Sequence, residues 1–161
     1  MNPDIKSLNQ LFHTIGARDG IDNFGLSLNG TAGLELRSGT RIYFEYSQEQ
    51  GLLSIYTPIC PFPTDKAKLL LLFESMLRLN FLLGEIEGEL AVSDYFSEAV
   101  LQRRMKGKEL DANHIDAAID RLIKDRATVI ALLEEKGGIE KSGSRDNRSS
   151  KTYMQRIMQS R

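Results

Sequence analysis

The sequence predicts an α+β domain, an antiparallel twisted sheet packed against helices in the order α-β-β-β-α-β-β-α. Three observations predict it. The strand-like segments come in runs of three and two instead of alternating singly with helices. Three helical segments carry their own start and stop residues. A chain of 161 residues with 41% hydrophobic composition fits one domain with a real core.

The first helix reads as Pro3 to Ile15. Asn2 is placed to cap it, Pro3 suits the first helical position and Gly16 suits the left-handed residue past its end. Ile5, Leu8, Phe12 and Ile15 form one apolar stripe, with Leu11 beside it. Three extended segments follow: "GLELR" alternates through Leu34 and Leu36, "RIYFEYS" is aromatic and β-branched, and "GLLSIYTPIC" is an apolar run closed by Pro58 and Pro61. The connections "SGT" and "SQEQG" read as tight hairpins, so the three strands make a meander.

"PFPTD" stops the sheet, Thr64 or Asp65 caps the second helix and Gly84 ends it. That helix, "KLLLLFESMLRLNFLLG", is oily on more than one side. At about 100° per residue, Leu79, Leu72, Leu83, Met76, Leu69, Phe73, Leu77, Leu70 and Phe81 fill an arc of roughly 200°, interrupted only by Asn80, and Leu71 falls in the opposite sector. A helix that packs one face needs an arc only a little over about 100°. This one has two surfaces to bury. Two further strands, "GELAVS" and "AVLQRRM", flank the turn "DYFSE". The last helix is capped by Asp111, carries the stripe Ile115, Ile119, Leu122, Ile123, Val129, Ile130 and Leu133, and ends at Lys136 before Gly137-Gly138.

Charge divides the chain. Residues 1–136 carry 15 Lys+Arg against 20 Asp+Glu, whereas residues 137–161 carry 6 against 2. The second segment is rich in Gly, Ser, Arg and Lys until Tyr153 and cannot bury enough apolar surface to offset its ordering entropy. The expected organisation is therefore an α+β domain over 1–136 and a flexible basic tail over 137–161. "MNPDIKSLNQ" lacks a basic stretch followed by an apolar run, and the longest apolar run, Leu69 to Phe73, is too short to span a bilayer. A cytosolic protein without stable membrane insertion is expected.

Chemistry is sparse. Cys60 is the only cysteine, which excludes an intrachain disulfide, and no histidine or basic cluster lies near it in sequence to activate the thiol. His13 and His114 read as structural residues, and no metal ligands or cofactor site are expected. Glu85, Glu87 and Glu89 alternate along one strand face and could be drawn as a carboxylate metal site; a solvated strand face or turn is the simpler reading. There is no Walker-type phosphate loop and no dinucleotide fingerprint, because "GTAG" joins two strand candidates and opens no helix. Catalytic residues: none. The tail offers modest phosphate-binding charge and only Tyr153 for stacking, so nucleic acid is not an expected partner.

Several motifs in fixed order resemble the class I type III secretion chaperones of the Tir chaperone (CesT) family. They are "FPTD" leading into the second helix, "LNF" near its end, "GELAVS" followed by a turn and "AVLQRRM", and then "LDANHIDAAIDRLIKDRATVIALLEE", within about Leu8 to Glu135. The chain departs from the usual pattern in its acidic Glu85–Glu89 segment and its basic tail. The resemblance implies a homodimeric bacterial cytoplasmic protein, without catalysis or cofactor, that keeps the N-terminal segment of one or a few effectors extended. The secretion ATPase is a further implied partner. A regulatory alternative is a partner-switching protein of the same fold that sequesters a regulator or secretion component. From the resemblance and the apolar side chains present, the candidate effector-binding residues are Ile5, Leu8, Phe12, Leu34 and Leu36, and the candidate dimer interface is Leu70, Phe73, Met76, Leu77 and Phe81. The competing reading of the first set is that it packs the helix onto the sheet.

Overall fold

The computed structural model describes residues 1–82, 84, 86–141 and the main chain of the strand Tyr153–Met154. The elements are α1 (Ile5–Asp19), β1 (Thr31–Leu36), β2 (Arg41–Ser47), β3 (Leu52–Pro61), α2 (Lys66–Leu82), β4 (Glu89–Ser93), β5 (Glu98–Lys106), α3 (Ala112–Glu135) and β6 (Tyr153–Met154). The predicted α+β order is present. β6 falls within the segment predicted as a flexible tail, most of which lies outside the described residues.

The first helix starts and ends later than its sequence signals suggest. Asp4 caps it, accepting the Ser7 N–H at 2.7 Å, while Asn2 donates to the Gln48 and Glu49 carbonyls instead. Gly16 lies inside the helix and is buried: a Cβ there would sit 2.7 Å from the Ile21 carbonyl oxygen. Its lack of a side chain serves close approach. Gly20, at φ +70°, is the residue that turns the chain out of α1. Of the two proposed caps for α2, Asp65 is the one used, accepting the Lys68 N–H at 2.9 Å. Asp111 caps α3 through the His114 N–H at 2.8 Å, and Gly137, at φ +74°, closes it. There the Gly138 and Gly137 N–H groups donate to the Leu133 and Glu134 carbonyls, the pattern that satisfies a helix's last acceptors.

All strand pairs are antiparallel, in the order β4-β5-β3-β2-β1-β6. Alternation along β1, β2 and β3 sends Leu34, Leu36, Ile42, Phe44, Leu53 and Ile55 to one face, where α1 and α3 cover them. Phe12, Phe24 and Phe44 meet at centroid separations of 5.2–5.5 Å and tie α1 to the sheet. Pro58 sits in a central strand, but the β2–β3 ladder ends at the Tyr43–Tyr56 pair, so no ladder bond to β2 is lost at the proline. A register shift between Pro58 and Cys60 exposes the Pro58 carbonyl to the Arg126 guanidinium, which donates at 2.8 Å.

Asp125 fastens the α2–β4 connection to α3. It is 4% exposed, accepts from Arg121 Nε at 2.8 Å and from the Glu87 N–H at 3.2 Å. Removing this buried carboxylate takes the acceptor away from the partly buried Arg121 Nε and the Glu87 N–H. Asp125→Ala is therefore expected to lower unfolding free energy by about 2 kcal/mol in urea titration; a change below about 0.5 kcal/mol would mean that water replaces the carboxylate without loss.

Candidate functional site

α2 carries two apolar faces. Leu72, Ser75, Met76 and Leu79 are buried against the chain's own core. About 180° around the helix, Leu70, Leu77 and Phe81 are 69%, 72% and 89% exposed. Leu71 and Leu82 are exposed farther around the helix, and the Glu74–Arg78 ion pair at 2.7 Å lies between them and that stripe. Of the five predicted interface residues, Leu70, Leu77 and Phe81 thus share an outward stripe. Phe73 is half-buried, edge-on to Phe62 at 5.4 Å, and Met76 is a core residue.

The predicted effector-binding residues lie elsewhere. Leu8, Phe12, Leu34 and Leu36 are each no more than 4% exposed, and only Ile5 is partly accessible. Their apolar periodicity is that of a packing face: α1 rests on the same side of the sheet to which β1 turns its leucines. Side-chain contact with a client at Leu8, Phe12, Leu34 or Leu36 would require the core to open. The sequence signal alone could not separate the two roles.

What β1 offers a partner is main chain. The Leu36 N–H donates to Thr40 and the Tyr46 N–H to Gly30, which fixes the parity of the β1–β2 ladder: even-numbered residues of β1 bond β2. Gly33 and Glu35 therefore turn their N–H and C=O groups away from β2, to the side on which β6 pairs with Glu35 and Leu36. Ser27 occupies the corresponding groups of Thr31, donating its N–H to the Thr31 carbonyl at 2.8 Å and accepting the Thr31 N–H on its hydroxyl at 3.3 Å. The opposite edge of the sheet is closed differently. The Asn80 side chain of α2 accepts the Leu90 N–H at 2.7 Å and donates to the Leu90 carbonyl at 2.9 Å, so the middle of β4 is satisfied by a helix. Neither parity nor this clamp is visible in hydrophobic periodicity, and Asn80 shows in the sequence only as a gap in an apolar arc.

The face of the sheet away from α1 and α3 is mixed. Tyr43 stacks on Tyr56 and on Phe96, each at 5.3 Å, where the β4–β5 turn folds over the strands. A second concavity, a groove of about 810 Å³ between the end of β3, the start of α2 and the end of α3, is lined by Ile59, Leu71, Ile130 and Ile139 and bordered by the Lys68–Glu140 ion pair at 2.8 Å.

The chemical candidates are otherwise engaged. Glu87 pairs with Arg103 at 2.7 Å and Glu89 with Arg104 at 3.3 Å, while Glu85 lies outside the described residues. Among the described residues no group of three or more His, Cys, Asp or Glu side chains is placed to hold a metal ion. His13 is exposed, and His114 sits beside its capping Asp111. Burial, and secondarily Glu98, pushes the Cys60 thiol up to about 11 from 9.0. A raised acid pKa means that folding favours the protonated thiol, so this stabilisation is complete below pH 9 and is lost as pH rises through 11. Cys60→Ala is expected to flatten the stability–pH slope between pH 9 and 11, read from urea midpoints. An unchanged slope would place the alkaline loss on other groups, such as Tyr56, whose burial raises it to about 12.

The fold is an α+β domain in which β1 turns main-chain groups away from β2 at one end of the sheet, while α2, with its exposed apolar stripe, lies against β4 at the other. The Tir chaperone protein (CesT) family model matches residues 8–129, and the chain belongs to that family. No curated protein matches it in sequence. Among solved structures, a chain of the ExsC–ExsE complex matches with a TM-score of 0.68 at 14% identity, over 80% of this chain and 95% of that one. A chain of the HopA1–SchA chaperone–effector complex matches with 0.60 at 11% identity, over 80% and 99%. A chain of the heterodimeric ExoU–SpcU complex from the Pseudomonas aeruginosa type III secretion system matches with 0.54 at 18% identity, over 79% and 98%. At these identities the likeness is one of fold. No helix of the described residues is long and apolar enough to cross a membrane.

Proposed function

We propose that the protein is a cytoplasmic bacterial type III secretion chaperone that binds the N-terminal segment of one or a few effectors and keeps it extended. Membership of the Tir chaperone family over residues 8–129 carries this reading. The structure supplies a physical route: an extended client segment gains main-chain hydrogen bonds along β1, beyond Gly33 and Glu35, while neighbouring side chains select its sequence. Two copies pair through the outward stripe Leu70, Leu77 and Phe81 of α2, which gives the client two sheets to follow. The work is done by binding alone, with no catalytic step and no cofactor.

Co-purification of the full chain from its native bacterium, followed by truncation of the captured partner, tests the proposal. The expected partner is a secreted protein that loses binding once its N-terminal segment is removed. A partner recognised only through an intact folded domain would overturn it.

A further inference from the structure

We propose that the chain carries its own occupant for the β1 edge: the Tyr153–Met154 segment holds the place of a client strand and must leave before a client pairs there. This rests on the client-binding reading above.

The observations concern main chain. β6 runs antiparallel to β1 with Glu35 opposite Met154 and Leu36 opposite Tyr153. Glu35 is one of the residues whose N–H and C=O groups face away from β2, so the Glu35–Met154 pair is the one positioned to exchange hydrogen bonds. The other end of the sheet is clamped by Asn80 through Leu90, which leaves the β1 side as the place for strand addition. Charge favours the same docking. Residues 137–161 carry 6 Lys+Arg against 2 Asp+Glu, and residues 1–136 carry 15 against 20. Attraction of this kind is weakly directional.

The length of the contact argues for exchange over permanent closure. β6 pairs over two residues, short against an ordinary strand of about five or six. Such a ladder shields an exposed edge against adventitious pairing but yields to a longer strand that engages more of β1. The tail then acts as a competitor at high effective concentration, because it belongs to the same chain. Only clients whose own segment out-competes it gain the edge.

The test uses the full chain with Met154→Pro, which removes the main-chain donor opposite Glu35, and Met154→Ala, which keeps it. Circular dichroism melting confirms that each variant is folded. Amide hydrogen exchange at Glu35 is expected to be at least about tenfold faster in Met154→Pro than in the unmutated chain, with Met154→Ala unchanged. A fluorescent peptide of residues 142–161 is expected to bind Met154→Pro at least about tenfold more tightly than the unmutated chain, whose edge is already filled. Equal exchange at Glu35 in all three proteins, or equal peptide binding, overturns the proposal. Protection that disappears on dilution also overturns it, because the tail would then come from a second copy. These readouts contain no effector, so they stand or fall separately from the chaperone reading; conversely, a client that binds Met154→Pro and the unmutated chain equally well refutes the occupant and leaves the chaperone intact.

Discussion

Phe12→Ala is expected to lower unfolding free energy by about 3–5 kcal/mol, the range for deleting a buried aromatic ring. Phe12 is fully buried and touches both Phe24 and Phe44, so its removal opens a cavity between α1 and the sheet that neither neighbouring ring fills without leaving its rotamer. Chemical denaturation followed by circular dichroism gives the number directly. The result decides between two readings of one sequence feature. A client-contacting phenylalanine would be nearly neutral in the free protein and costly only in the complex. An unfolding free energy within about 0.5 kcal/mol of the unmutated value would contradict the packing described above.

Leu77→Asp is expected to convert a dimer into a folded monomer. Leu77 is 72% exposed in the single chain, so the substitution removes little from the subunit's own core and the variant should keep the circular dichroism spectrum of a folded chain. In the proposed pairing of α2 with its copy, the same position meets apolar surface, and a buried unpaired carboxylate there costs about 3 kcal/mol or more. That corresponds to at least about a hundredfold weaker association. Light scattering should give twice the chain mass of 18.1 kDa for the unmutated protein and 18.1 kDa for the variant. Leu72→Asp is the contrasting substitution: Leu72 is fully buried in the subunit itself, and a charge there should prevent folding instead of assembly.

The elements were legible because each carries a local instruction. The caps at Asp65 and Asp111 and the alternation of β1 to β3 report on main-chain needs within a few residues. α1 shows where that logic stops. Asn2 and Asp4 are both good caps, and the one that serves the helix is settled by a distant loop, since Asn2 is drawn to the carbonyls of Gln48 and Glu49. Gly16 reads as a helix end because glycine usually is one; here Ile21 and Phe24 press on it from the returning chain. The doubled apolar surface of α2 was legible, because an arc twice the usual width needs two partners, but composition could not say that Met76 faces inward while Leu77, the next residue, faces out. The proposed binding surface was the least legible part. Leu8, Phe12, Leu34 and Leu36 advertise burial, and burial on the subunit's own core uses that signal completely. The edge groups of Gly33 and Glu35, and the Asn80 amide that closes the far edge, belong to ladder parity and to a helix–strand contact that no local pattern records.

The central claim is that an extended client pairs along β1. Its most direct measurement is NMR of the complex with the partner isotopically labelled, recording amide dispersion in the partner and intermolecular contacts to the chaperone. The bound N-terminal segment is expected to lack a fold of its own, and its amides to show strand-type contacts to Gly33 and Glu35. A partner that stays folded in the complex and makes no contact with β1 would contradict it.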